Sequence, residues 1–204
     1  MNVLVAGATG KTGQLLVREL LHKGAKPTAL VRDISDTSTL PDGCDLRKGD
    51  LTDLPQDVCA GMDAVIFAAG SGGDTDAEMT DKVDRDGAKA LVDRAKAEGV
   101  QRFVMLSSVG ADNPPEDHDL AHYLQAKHAA DRHLMDSGLT YAVLRPVALT
   151  DDGKSPNILF GDAVDQSATA ARADVAEVLA DAALMGTMDG TALDMQSGKA
   201  KATA

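Results

Sequence analysis

The chain has 204 residues, enough for one well-buried α/β core, and its 2% aromatic content without tryptophan means that core is built from Ala, Val, Leu, Ile and Met. Net charge is −12, with 27 Asp and 5 Glu making up the 32 acids, a surface that repels nucleic acid and anionic lipid and argues against both as partners. No run approaches the ~20 apolar residues of a membrane span, and Cys44 and Cys59 are too far apart for a CxxC pair, so they read as free thiols in a reducing, cytoplasmic setting.

The first apolar run, Met1 to Ala8, has no basic leader and passes directly into glycines, which makes it a strand over 2–7 and not a signal peptide. It enters Gly7-Ala8-Thr9-Gly10-Lys11-Thr12-Gly13, and LLVRELLHKG continues as a helix over 12–23. A GxxGxxG run that closes a strand and opens a helix has the context of a dinucleotide-binding turn. Gly7 permits the tight turn, Gly10 lets backbone approach a diphosphate, and Gly13 lets helix and strand pack closely. The amides opening the helix, with Thr9 and Thr12 beside them, then face the anion.

A second strand, 27–31, ends at Arg32, where a nucleotide site that prefers a free ribose 2′-OH places Asp or Glu. Arg32 and Lys11 are expected to converge on a 2′-phosphate, which favours NADP(H) over NAD(H). Asp33 falls one residue late and points away. After a short strand near 45–48, Gly49-Asp50-Leu51 either contacts the adenine through Asp50 or forms a simple aspartate turn. The strand over 64–68 closes with Ala68-Ala69-Gly70-Ser71-Gly72, small residues suited to backbone passing beside a nucleotide.

A helix over 80–98 and a strand over 102–107 follow, the strand ending in Ser107-Ser108. GADNPPEDHD, in the loop 109–120, is the expected flap, and 71–79 a second loop beside it. The next helix, 121–137, carries Tyr123 and Lys127 four residues apart and so on one face. His118, His122, His128 and His133 gather around it. With no cysteine or carboxylate set to complete a site they read as solvated, not as metal ligands, and His122 lies next to the pocket.

The strand 140–145, a segment 147–172 that serves as a small substrate lid, the helix 173–185 and the strand 191–195 complete the chain before a tail at 199–204. In LLHKG, RAKAEG and LMDSG a glycine stops each helix just before an apolar strand, the rhythm of βαβ units. Right-handed crossovers then give one doubly wound parallel sheet of order 3-2-1-4-5-6, with room for a seventh strand, a single Rossmann-type domain over 1–198. Ligand is expected at the carboxyl ends of the strands, between the first and fourth.

GATGKTG, GDL, FAAG, VMLSS and Tyr123-Leu124-Gln125-Ala126-Lys127, in this order along nearly the whole chain, resemble the short-chain dehydrogenase/reductase superfamily, and most closely its small atypical, NmrA-like and epimerase-like NAD(P)-binding members. The resemblance implies that Tyr123 gives or takes a proton, that Lys127 supports it and bonds the nicotinamide ribose, and that Ser108 is the catalytic hydroxyl with Ser107 in support. Chemistry agrees on the first point: a phenol of reference pKa ~10 serves as an acid or base near neutrality only beside a cation. Arg145-Pro146 either leads into the active-site wall, as in the family, or is an ordinary strand exit.

The expected function is an NADP(H)-dependent oxidoreductase acting on a small-molecule substrate, a small neutral carbonyl or quinone-like compound, since an acidic surface and a short lid disfavour anions and large sugar nucleotides. A non-catalytic NADP(H) sensor, an epimerase-like isomerase and a flavin- or biliverdin-type reductase are the alternatives, and monomer and homodimer both stay open. The Asp excess also resembles the surfaces of salt-adapted proteins, in which screening at ~1 M salt quiets self-repulsion.

Overall fold

The computed structural model describes residues 1–72, 76–117 and 119–198. The expected tail at 199–204 and His118 lie outside the described residues, as does part of the loop 71–79.

The parallel strands are β1 (Asn2–Ala6), β2 (Lys26–Val31), β3 (Asp45–Lys48), β4 (Ala64–Phe67), β5 (Arg102–Leu106) and β6 (Thr140–Pro146), each within a residue or two of its expected bounds. Three short strands, β7 (Ala148–Thr150), β8 (Ile158–Phe160) and β9 (Thr169–Ala171), precede β10 (Thr191–Ser197). The main sheet runs β3-β2-β1-β4-β5-β6-β10-β8, so the expected order holds, β10 is the seventh strand, and β8 adds an antiparallel edge through Met195 opposite Phe160. The lid segment is therefore more structured than its sequence suggests: β8 pairs on the sheet, and β7 pairs with β9 separately.

Alternation along β1 explains the two-faced core. Val3 and Val5 pack on one side with Leu16 and Leu20 of α1 (Lys11–His22) and Leu179 of α5 (Arg172–Met185). Leu4 and Ala6 face the other side, with Phe67, Phe103 and Met105. That side is covered by Leu91 of α3 (Ala88–Ala97) and Leu134 of α4 (Ala121–Met135). Strands buried on both faces need continuous apolar runs, which is what β1, β4 and β5 carry. The three glycines expected to stop helices, Gly24, Gly99 and Gly138, all have positive φ.

The helix expected at 80–98 begins earlier and is not uniform. A turn, α2 (Ala77–Thr80), leads into a π-helical stretch over Asp81–Gly87 before α3 continues. Asp76 caps the start by accepting from the Met79 amide at 2.9 Å. A wide turn of this kind shifts the side chains that follow it, and such turns recur at functional sites. Here it carries Asp84, which is fully buried.

Candidate active site

Strand β1 delivers the chain to Gly7 at φ +84°, and a Cβ there would lie 2.6 Å from the backbone of Ala68 and Ala69. The turn closes through Gly10 N–H donating to Gly7 O at 3.0 Å, and Gln14 N–H donating to Gly10 O at 2.9 Å starts α1. A Cβ on Gly13 would sit 2.0 Å from Gly7 O, so helix and turn touch backbone to backbone. Gly10 differs: its Cβ would meet only Gly7 O, at 3.3 Å, and its other side is open. No side chain caps α1 at Gly10. Its first amides, which helix geometry leaves without intrahelical partners, are therefore disposed toward an anion.

Two cavities meet at this turn. The first, about 480 Å³, lies over the carboxyl ends of β1 to β4 and is lined by Gly7, Thr9, Gly10, Arg32, Ser35, Asp50, Leu51 and the run Ala68–Ser71, with Met79 and Val83. The second, about 860 Å³, shares Gly10, Ala68 and Gly70 and adds Lys11, Thr12, Thr80, Asp119, His122, Tyr123 and Arg172 among its walls. An extended ligand can thus cross from one to the other over Gly10, in the crevice between β1 and β4 where the strand order reverses.

The structure does not bring Lys11 and Arg32 to one cavity wall. Arg32 is exposed on the first cavity, whereas Lys11 lines the second and donates to Asp151 Oδ2 at 2.8 Å. Opening the helix turns the Lys11 side chain toward α5, away from the end of β2. Asp33 pairs with Lys48 at 3.0 Å and lines neither cavity. Asp50 forms the aspartate turn, its Oδ1 accepting from the Thr52 amide at 2.9 Å and hydroxyl at 2.8 Å, and it also lines the first cavity. The Thr52 amide, opposed by partial burial and aided by the Thr52 hydroxyl and Arg32, holds its carboxyl below the usual range.

Tyr123 and Lys127 share one face of α4, but only Tyr123 is on a cavity wall. The Lys127 ammonium is buried beneath it, 5.7 Å from the centroids of both the Tyr123 and Phe67 rings, and 2.9 Å from Asp84 Oδ1. This ion pair falls short of a well-aligned hydrogen bond. Lys127 also donates to Leu106 O at 3.4 Å and Ala69 O at 3.5 Å, and Asp84 Oδ2 accepts from the Ser71 amide at 2.9 Å. Burial pushes the lysine down, but the charges of Tyr123, Asp84 and Asp131 outweigh it and leave the ammonium above its ordinary range.

A second buried cluster lies alongside. Asp131 Oδ2 accepts from Ser107 Oγ at 2.9 Å and Arg145 Nε at 3.0 Å, while Oδ1 has no hydrogen-bond partner among the described residues. Burial raises its carboxyl, against the opposing effect of Arg145, Ser107 and Lys127. Ser107 is thereby engaged below the site. Ser108 donates to Val109 O at 3.3 Å, and neither serine lines the two cavities. Arg145 likewise serves this cluster.

Sequence reading missed Asp84, Asp131 and Arg172. A signal existed for the first, since Thr80, Asp84, Gly87 and Leu91 form one inward stripe in which a carboxylate stands where an apolar residue belongs. His122 faces Ala77 O at 3.2 Å and Asp81 at 3.0 Å, and His133 faces Asp93 at 2.7 Å. Among the described residues no three His, Cys, Asp or Glu side chains gather as a metal site, and no helix is long and apolar enough to cross a membrane. The buried Cys59 thiol is pushed up to about 12 by desolvation, which leaves it inert.

Comparison with known proteins agrees with this geometry. The chain belongs to the NAD(P)H-binding family, whose model matches residues 7–185. It is 37% identical over 159 residues, 74% of either chain, to a Bacillus subtilis protein named "Uncharacterized sugar epimerase YhfK". A Bacillus halodurans structure provisionally named as an NAD-dependent epimerase/dehydratase superposes with a TM-score of 0.90 at 33% identity, over 98% of this chain and 95% of the other. The Lactococcus lactis oxidoreductase ylbE gives a TM-score of 0.85 at 28% identity, over 98% and 92%. The molecule is an NAD(P)-binding Rossmann protein of the atypical short-chain dehydrogenase/reductase kind.

Proposed function

We propose that the protein is an NADP(H)-dependent oxidoreductase that reduces a small carbonyl or quinone-like compound in the second cavity, with Tyr123 as proton donor. The observation that carries this reading is that two cavities share Gly10, Ala68 and Gly70 as walls, with Arg32 lining one and Tyr123 the other. The turn around Gly10 and the start of α1 would hold the diphosphate, Ala68 to Gly70 would pass beside it, and Arg32 would take the 2′-phosphate of the adenosine.

When bound, NADPH would supply a hydride for the carbonyl carbon. Tyr123 releases its phenolic proton to the carbonyl oxygen, giving the alcohol, and recovers a proton from water. Lys127 acts from below as a fixed positive charge, sealed from solvent and tied by Asp84, rather than as a group that touches ligand. The resemblance-based ribose contact of Lys127 is thus replaced in this reading by an electrostatic one, and Ser108 has no assigned step.

The test is an NADPH-oxidation screen over aldehydes, quinones and flavins, run beside Tyr123→Phe. Turnover should fall by about 10²–10⁴ in the variant while NADPH affinity is unchanged. Equal rates would remove Tyr123 from the chemistry and favour a flavin-type reduction. A non-catalytic sensor is the second reading, favoured by the engagement of Ser107 with Asp131 and of Ser108 with Val109 O. Tight dinucleotide binding without turnover of any acceptor would select it.

A further inference from the structure

Lys11 and Arg172 are the first residues of α1 and α5, two helices anchored on the same core face, and both line the second cavity. They reach one carboxylate: Asp151 Oδ2 lies 2.8 Å from Lys11 Nζ, and Asp151 Oδ1 lies 2.5 Å from Arg172 Nη1. Asp151 comes from the irregular stretch 151–157 and is not among the residues lining the cavity. We propose that the second cavity takes a carboxylate-bearing carbonyl substrate, whose charged group replaces Asp151 across Lys11 and Arg172. The proposal rests on the reductase reading above and names its substrate class.

The geometry itself argues for the class. Two cations from separate helices, each on one oxygen of a single carboxylate, form a receptor for a two-oxygen anion, and the protein already displays such an anion bound to it. The occupant is replaceable. The side chains of Asp151 and Lys11 are 60% and 71% exposed, so solvent and salt screen their attraction and exchange for an incoming carboxylate costs little. The Arg172 side chain, at 20% exposure, is the better-sheltered partner.

Local charge does not oppose the exchange despite the acidic surface, because Asp151 and Asp119 together only balance the two cations. Among the described residues lining this cavity the fixed charges are Lys11 and Arg172 against Asp119. Nearby Asp81 is answered by Arg85 at 2.9 Å and faces His122 at 3.0 Å. Net charge over the whole surface therefore does not by itself decide the charge of a substrate bound in this cavity. Tyr123, on the same cavity, would meet the carbonyl while the carboxylate occupies the cation pair.

Because Lys11 belongs to the glycine turn, the diphosphate of the dinucleotide is the other source of anionic oxygens, and the experiment must separate the two. The full chain is assayed with NADPH and either 4-carboxybenzaldehyde or its methyl ester, which present the same aldehyde with and without the charge. Binding of each to the NADP⁺-loaded protein is measured by calorimetry. We expect the acid to exceed the ester by about tenfold in kcat/KM and in affinity, as for one charge-assisted contact. Arg172→Gln and Lys11→Gln should each bring that ratio toward unity, and Asp151→Asn should raise it by removing the internal competitor.

A ratio near unity in the parent overturns the proposal. So does an unchanged ratio in Arg172→Gln accompanied by weaker NADPH binding, which would assign the cation pair to the cofactor phosphates. Should neither aldehyde be reduced, calorimetry alone decides: an Arg172-dependent preference for the acid sustains the anion site and no preference overturns it, while the hydride-transfer reading is decided by the wider acceptor screen.

Discussion

The two cavities that meet at Gly10 are made of different materials. The first is bounded largely by backbone and small residues, with Gly7 and Gly13 packed so tightly that an added Cβ would overlap main-chain atoms. The second is bounded by side chains from α1, α4 and α5, and beneath it lie the buried charges of Asp84 and Lys127. A site built from backbone depends on sterics and amide dipoles and tolerates little change in shape. A site built from side chains depends on charges that must find partners far along the chain, and it tolerates change in shape better than change in charge.

The sharpest break of this comparison is at the buried pair. Asp84→Ala leaves a lysine ammonium in a sealed, low-dielectric space and should destabilise the fold by about 3–5 kcal/mol, measured by urea unfolding. Lys127→Met combined with Asp84→Leu should recover most of that loss, because no uncompensated charge remains, yet turnover should stay low. Full activity in the double variant would mean that the positive charge beneath Tyr123 does no chemistry.

Next in size are the glycines of the turn, which separate packing from ligand approach. Gly13→Ala forces a methyl against Gly7 O and should cost about 1–3 kcal/mol of stability. Gly10→Ala meets only one atom at 3.3 Å and should leave the unfolding curve nearly in place. Gly10 lines both cavities, so an added methyl there should reduce dinucleotide affinity by about tenfold or more in calorimetry. Two alanines three residues apart would then fail for different reasons. Unchanged dinucleotide affinity in Gly10→Ala would show that Gly10 is not a ligand surface.

The difference in materials also explains what could be read before the structure. Gly7, Gly10 and Gly13 are legible because their constraint is local: a strand, a turn and a helix in sequence leave no other reason for that spacing. The order of the parallel strands follows from the repeated helix–glycine–strand rhythm. The strands β7, β8 and β9 are three residues each, too short for periodicity, and their partners lie at least about twenty residues away. The partners of Ser107 and Lys127 could not be read, because each lies out of local reach: Asp131 is 24 residues on and Asp84 is on the preceding helix. Arg172 stands at the start of the last helix, and nothing local in the sequence signals that it shares Asp151 with Lys11.

Cofactor choice tests whether the first cavity has any charge-based element. Arg32→Asp should weaken NADPH by about 10- to 100-fold, the worth of one or two charge-assisted bonds, and NADH by little. Comparable losses for both nucleotides would deny Arg32 the 2′-phosphate. Since Lys11 lines the other cavity, Lys11→Gln should not reproduce this discrimination.

The smallest expected effect concerns Asp50, the one acid among the described residues that line the first cavity. The Thr52 amide holds its carboxyl below the ordinary range in the fold. A carboxyl depressed on folding contributes stability that is present above the unfolded-state value, near ~4, and disappears as pH falls through the lower folded value. Asp50 is partly exposed, so solvent limits this contribution to less than about 1 kcal/mol. Asp50→Asn should therefore leave stability at pH 7 only slightly reduced and flatten its decline below pH ~4, the range of an ordinary aspartate. If the same substitution instead lowered NADPH affinity tenfold with no change in the acid limb, the side chain would be serving the adenine before it serves the turn, and the first cavity would join the second as a site made by side chains.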